Sequence, residues 1–67
     1  MASRPETIGA RIKRLRLATG LSQRELADGL EKCSYAFVSR LEADDRQPSE
    51  RTVRQLAARF GVTPLEL

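Results

Sequence analysis

Histidine and tryptophan are absent from this chain, and cysteine occurs once, at Cys33, among 67 residues. A zinc site needs several cysteine or histidine ligands and an internal disulfide needs two cysteines, so we expect neither. No nucleophile stands in a recognisable arrangement with a general base. We therefore expect a protein that is not an enzyme and that uses no metal and no cofactor. Cys33 is interpreted as a small apolar residue at a helix entrance, with redox sensing as the alternative.

Long apolar runs are also missing. No stretch approaches the ~20 residues that a membrane-spanning helix needs, and residues 1–6 lack the apolar segment of a signal peptide. We therefore expect a cytoplasmic protein with no membrane partner, lying beside the nucleoid if it is a bacterial regulator. A chain this short buries only about 60% of its unfolded surface, which leaves no room for a catalytic cleft.

Positive charge is what the composition does supply. Twelve Lys and Arg against nine Asp and Glu give a net charge of +3. This balance favours a polyanionic partner, although a merely soluble basic domain has the same composition.

The chain reads as a series of short amphipathic helices, each with a start signal, within one domain. Ser3 and Glu6 stand in capping-box register for the first helix, and Gly20 suits its C-cap. Thr63, Pro64 and Glu66 repeat an entry signal, so we expect a fifth helix to begin there and the chain to be the N-terminal part of a longer regulator. The first predicted helix begins between Arg4 and Ile8 and ends near Thr19. The second begins at Ser22 and the third at Ser34. The fourth begins at Ser49 or Glu50 and ends at Phe60.

Residues 21–42 form the central unit of this pattern. Ser22 and Glu25 make a capping box at the start of one helix, and Ser34 can cap the next after a tight turn. On that second helix Val38 and Leu41 share one stripe, so they should face the core. The opposite face is small and polar with one guanidinium, which suits a DNA major groove about 12 Å wide; it consists of Ala36, Ser39, Arg40 and Ala43.

These motifs carry a resemblance to a known family. Leu21-Ser22-Gln23 followed by Glu25-Leu26-Ala27, then Val38-Ser39-Arg40-Leu41-Glu42 and Gln47-Pro48-Ser49, resembles the phage-repressor and Cro-type (XRE-like) helix-turn-helix family across residues 7–67. The resemblance implies an all-α, compact four- to five-helix bundle of the lambda-repressor-like type. It also implies a helix-turn-helix unit at about 22–43 with a recognition helix at about 34–43, and sequence-specific binding of double-stranded DNA by a transcriptional regulator.

The same resemblance assigns roles to individual residues. It implies a structural clamp in which Arg16 on helix one pairs with Glu42 at the end of the recognition helix. Alternatives remain: Arg40 can instead pair with Asp44 at i+4, Gln23 can be an ordinary exposed glutamine, and Phe37 can complete the edge of the core. The implied base-reading residues are Tyr35, Ala36 and Arg40, and the implied phosphate contacts are Gln23, Ser34, Ser39 and Arg46.

Two departures from the family pattern bear on function. Relatives usually carry glycine where Asp44 stands and often a basic residue where Asp45 stands, and two carboxylates there should repel a phosphate backbone. The turn at residues 31–33 is also one residue longer than is common.

The two acids at Asp44 and Asp45 and the aromatic pair on the recognition helix favour an alternative function, a protein-interaction module such as an antitoxin or adaptor that uses Tyr35 and Phe37. If the chain binds DNA, we expect homodimers on operators whose halves lie ~34 Å apart, with this chain alone a monomer or weak dimer.

Overall fold

A computed structural model describes residues 6–31 and 33–67 of the chain. Within these ranges every regular element is helical, which confirms the predicted all-α fold class. None of the described helices is long and apolar enough to cross a membrane. The elements are α1 (Ile8–Thr19), α2 (Gln23–Asp28), α3 (Tyr35–Glu42), α4 (Glu50–Phe60) and a 3-10 turn (Pro64–Glu66).

Each α-helix begins at a side-chain cap. Thr7, Ser22, Ser34 and Ser49 each accept a hydrogen bond from the backbone N–H three residues later, which satisfies a donor that the helix leaves free. Three of these caps were predicted. The cap of α1 differs from the predicted capping box of Ser3 and Glu6. The helix starts at Ile8, the late limit of the predicted range, so Glu6 precedes it and accepts hydrogen bonds from Arg11 and Arg14. Ser3 lies outside the described residues.

The helix ends follow equally local rules. Gly20 and Gly61 adopt φ angles of 81° and 73°, which only glycine enters without strain, and they end α1 and α4 as predicted. A helix does begin where the fifth was predicted, and it is a 3-10 helix rather than an α-helix. Pro64–Glu66 closes i to i+3 hydrogen bonds, so the segment is a single 3-10 turn, although Glu66 does accept the Thr63 N–H at 2.7 Å.

Every α-helix contributes to one apolar core. Its fully buried side chains are Ile12 from α1, Leu26 from α2, Val38 and Leu41 from α3, and Leu56 from α4, each at 0% exposure. The two α3 residues are those predicted to face inward. Because α3 packs against both α1 and α2, its orientation is fixed from two sides.

A close backbone approach joins α1 to the end of α3. Gly9 is buried, and a Cβ there would overlap the Leu41 carbonyl oxygen and lie 2.6 Å from Asp44 Oδ1. Glycine is therefore required at this position by space rather than by its dihedral angles. The contact brings the N-terminal turn of α1 against the exit from α3.

Candidate nucleic-acid interface

The outer face of α3 is open to solvent along its whole length. Val38 and Leu41 hold the helix from behind, while Tyr35, Ala36, Ser39 and Arg40 are exposed, Tyr35 by 51%. Phe37 is half-buried and packs against the core, as expected of a core-edge residue. The structure thus places the predicted base-reading residues together on one accessible surface.

Arg40 has no acidic partner in the part of the chain that the structure describes. The ion pairs there join other side chains, so the alternative bridge from Arg40 to Asp44 is not formed. Its backbone carbonyl accepts the N–H groups of Asp45 at 2.9 Å and Arg46 at 3.3 Å, which closes the turn after α3. The guanidinium is therefore exposed and available to an external acceptor.

The predicted phosphate-contact residues surround this face. Ser34 caps α3 by accepting the Phe37 N–H at 3.3 Å, so its own hydroxyl hydrogen is not used by that bond. Ser39 and Arg46 are exposed side chains. Gln23 is half-buried, and its side-chain amide donates a hydrogen bond to Glu42.

Arg16 and Glu42 meet in a nearly buried ion pair. Arg16 Nε lies 2.6 Å from Glu42 Oε2 and Nη2 lies 3.2 Å from Oε1, with the two side chains 9% and 4% exposed. Arg16 Nη1 also donates to the Leu21 carbonyl at 2.8 Å. The bidentate geometry and the extra bond satisfy charges that would otherwise be costly to bury.

Gln23 extends this pair into a three-residue network. Its side-chain amide donates to Glu42 Oε1 at 3.1 Å, which fixes the first residue of α2 against the last residue of α3. One amide N–H and the amide oxygen remain for other partners. Sequence reasoning missed this bond because the two residues are 19 positions apart and no local pattern links them.

Asp44 is held by α1 rather than directed only to solvent. Its backbone has a left-handed φ of 60°, which aspartate tolerates better than most residues. Oδ2 accepts the Thr7 hydroxyl at 2.7 Å and Oδ1 accepts the Gly9 N–H at 3.0 Å, so the carboxylate lies at the positive N-terminal end of α1. Asp44 and Asp45 are both exposed, but the bonds to α1 offset part of the Asp44 charge, so the predicted repulsion of phosphate applies chiefly to Asp45.

An aromatic contact links the first turns of α2 and α3. The guanidinium carbon of Arg24 lies 5.0 Å from the centre of the Tyr35 ring, within the range of a cation–π interaction. Arg24 lies on the exposed side of α2. Its contact with Tyr35 crosses the turn between the helices, so helical periodicity could not reveal it.

Cys33 lies in that turn and has the character of a small apolar residue. It is half-buried against the core, and its thiol donates to the Glu31 carbonyl at 3.4 Å. Burial raises the pKa of the Cys33 thiol, which keeps it protonated and weakly nucleophilic. No group of three or more possible ligand side chains in residues 6–31 and 33–67 could hold a metal.

A comparison with protein families identifies this arrangement. The model of a family described as helix-turn-helix matches residues 12–67. The chain belongs to the helix-turn-helix family. This is the XRE-like group that the sequence motifs resemble, a family of DNA-binding transcription regulators that are generally not enzymes. No curated protein matches the chain.

A solved structure is similar to this helix-turn-helix domain. It is the crystal structure of Bacillus thuringiensis PlcR in complex with the peptide PapR7 and DNA, with 30% sequence identity and a TM-score of 0.80. The match covers 91% of the present chain and 21% of that chain, so the domain spans about a fifth of the length of this neighbour.

Proposed function

We propose that this domain binds double-stranded DNA sequence-specifically, with α3 in the major groove, as the DNA-binding part of a transcriptional regulator at the nucleoid. One observation carries the proposal. Val38 and Leu41 are fully buried on the inner side of α3, while Tyr35, Ala36 and Arg40 are exposed on a face with no bulky apolar residue other than the Tyr35 ring. A helix that is anchored on its inner side and carries mostly small or polar side chains on its outer face fits the dimensions of the groove.

Each exposed residue of α3 has a chemically suitable partner on DNA. Arg40 donates in a fork to O6 and N7 of a guanine, a contact worth ~1 to 3 kcal/mol of discrimination between bases. Ala36 contacts a thymine methyl group, and the Tyr35 hydroxyl bonds a base edge. Arg40 suits this role because no carboxylate in the described ranges competes for its guanidinium.

Contacts to the sugar–phosphate backbone set the register of the complex. Ser34 and Ser39 donate through their hydroxyl hydrogens, and Arg46 donates from the turn after α3. Gln23 donates its second amide N–H, the one that is not bonded to Glu42. Because Glu42 is held by its buried ion pair with Arg16, that pair also orients the Gln23 amide. These contacts give affinity that depends little on sequence.

The assembly that we propose is a homodimer on an operator with two half-sites, because one such domain reads only a few base pairs. The similar structure of PlcR is a complex that includes DNA, which supports the choice of partner. Dimer contacts need not all lie within residues 1–67.

A salt titration tests the proposal against the protein-interaction alternative. Binding to mixed-sequence duplex should weaken as salt rises, with a log–log slope of about −0.9 per phosphate neutralised. Lys13→Ala serves as a control for variants that remove one positive charge from the interface, such as Arg46→Ala. Lys13 is an exposed residue of α1 outside the proposed interface, so its removal should leave the salt slope nearly unchanged. An affinity that is absent or insensitive to salt would instead favour a protein partner at Tyr35 and Phe37.

Selection of bound duplexes from a random library tests sequence-specific reading. Arg40→Ala should relax the base preference at one position, whereas Arg46→Ala should weaken all sequences alike and reduce the salt slope by about one. Equal base preferences for wild type and Arg40→Ala would remove Arg40 from the reading surface.

A further inference from the structure

We propose that Arg24 is an additional DNA-contacting residue, one that donates to a backbone phosphate and is positioned for this by the ring of Tyr35. The inference rests on the proposed function and extends it to a residue on α2. Its starting point is the 5.0 Å separation between the Arg24 guanidinium carbon and the centre of the Tyr35 ring.

The direction of the Arg24 side chain is informative because α2 also carries an oppositely charged residue within helical pairing distance in sequence. Asp28 follows Arg24 by four residues on α2, a spacing at which opposite charges often pair. The described part of the chain nevertheless contains no ion pair between them. The guanidinium instead reaches across the turn and lies over the first residue of α3.

Contact with the ring leaves the hydrogen-bond donors of the guanidinium available. A cation–π interaction acts through the positive charge of the group, so its five N–H donors remain for hydrogen bonds. The hydrogen bonds found among the described residues do not engage these donors, and both Arg24 and Tyr35 are exposed. A planar fork held in this way matches the geometry of two phosphate oxygens.

The position of the pair selects the ligand. Arg24 follows Gln23, a proposed phosphate contact, and Tyr35 precedes Ala36, a proposed base contact. The pair therefore connects a residue next to a proposed phosphate contact with Tyr35, which is itself a proposed base contact. A phosphodiester beside the base that Tyr35 contacts is the anion that this location presents, so Arg24 should add affinity without adding base preference.

A double-mutant cycle on DNA affinity tests the pair. Arg24→Ala should weaken binding to all duplexes on the order of tenfold near 0.1 M salt and reduce the log–log salt slope by about one. Arg24→Lys should retain most of the slope, because it keeps the charge. In the Tyr35→Leu background the effect of Arg24→Ala should shrink by about two- to fivefold, whereas in the Tyr35→Phe background, which keeps the ring, it should not.

The controls separate this inference from the function beneath it. If wild type binds with a steep salt dependence but Arg24→Ala behaves like Lys13→Ala, with an unchanged slope, the Arg24 assignment is wrong and DNA binding stands. An Arg24→Ala effect of the same size in the Leu and Phe backgrounds overturns the role of the ring. Loss of salt-dependent binding in wild type itself overturns the proposed function first.

Discussion

The two ends of α3 use their polar groups in opposite ways. At the anchored end, the carboxylate of Glu42 accepts bonds from Arg16 and Gln23, and that of Asp44 accepts bonds from Thr7 and Gly9. At the open end, Tyr35 and Ala36 are exposed, and the Arg24 guanidinium lies against the Tyr35 ring. The carboxylates of Glu42 and Asp44 are thus bonded within the protein, whereas the outer face of α3, which includes Arg40 in the last turn, keeps its donors directed outward.

This difference explains how a small domain can present a precise surface. A helix of eight residues has little stability of its own, so its orientation must come from tertiary contacts. The anchored end and the buried pair of Val38 and Leu41 supply those contacts without using the outer face. The outer face, including Arg40, is then free to contact DNA, so mutations of the anchoring residues and of the outer-face residues should have separable effects on stability and on binding.

The largest effect should come from breaking the buried ion pair at the anchored end. Glu42→Ala leaves the Arg16 guanidinium buried without its partner and frees Gln23, so we expect a loss of about 3 to 5 kcal/mol in the free energy of unfolding. Chemical denaturation measures this loss. For a domain whose total stability is of order 5 kcal/mol, the variant should be largely unfolded near 37 °C.

A paired replacement distinguishes the cost of an orphaned charge from the value of the pair. Arg16→Met combined with Glu42→Leu removes both charges and should recover most of the lost stability. Arg16→Ala alone should lower the melting temperature. An unaltered melting temperature for Arg16→Ala would contradict the clamp.

Backbone contact at the anchored end predicts the next effect. Gly9→Ala places a methyl group against the Leu41 carbonyl oxygen, which belongs to buried backbone and cannot move easily, so we expect a loss of about 3 kcal/mol. Gly29→Ala is the matched control. There the new methyl would lie 2.9 Å from Nε of the flexible Arg59 side chain, and φ is −85°, so the change should be neutral or stabilising by up to about 1 kcal/mol. Equal losses in the two variants would contradict the close approach.

Much of the fold could be predicted from local signals, and the reason lies in how those signals act. Caps such as Ser22, Ser34 and Ser49 bond three residues away, and Gly20 ends a helix through its own backbone, so a short window contains the whole cause. The inward face of α3 followed from periodicity. The start of α1 was placed only within a range, because Ser3 and Glu6 also stand in capping-box register, whereas the residue that caps the helix is Thr7.

The polar contacts of the site could not be predicted in the same way. The bonds of Asp44 to Thr7 and Gly9 and that of Gln23 to Glu42 join positions 19 to 37 residues apart. Nothing in their local sequence distinguishes these residues from solvated ones. The Arg16–Glu42 pair was anticipated only through resemblance to a family, and periodicity alone would have left both side chains unassigned.

Asp44 offers a moderate test of the anchored end. Asp44→Ala removes two hydrogen bonds and places alanine in a left-handed conformation, so the free energy of unfolding should fall by about 2 kcal/mol. Asp45→Ala, one residue further along, should change stability by less than about 0.5 kcal/mol and should strengthen DNA binding. Thermal unfolding and duplex titration measure the two quantities. Similar stability losses for both variants would contradict the assignment of Asp44 to α1.

The smallest effect concerns pH and the capping box of α2. The backbone N–H of Ser22 bonds the Glu25 carboxylate, which lowers the pKa of Glu25 below 4.5, with a weaker contribution from Arg59. Because the folded-state pKa is lowered, the stabilisation is complete above the unfolded value and is lost as the pH falls through the folded one. The stability advantage of wild type over Glu25→Gln should therefore narrow on the acid side of pH 4.5. If the difference in unfolding free energy between wild type and Glu25→Gln stayed constant into strong acid, Glu25 would not contribute to the pH dependence of stability.

Amide chemical-shift mapping tests the central claim most directly. A 15N-labelled domain is titrated with duplexes selected from the random library, and shifts are followed for every backbone N–H. The account predicts the largest changes at Tyr35, Ala36 and Arg40, smaller ones at Gln23, Arg24 and Arg46, and little change at the buried α1 residue Ile12. Changes concentrated on α1 or α4, with the signals of Ala36 and Arg40 unmoved, would contradict it.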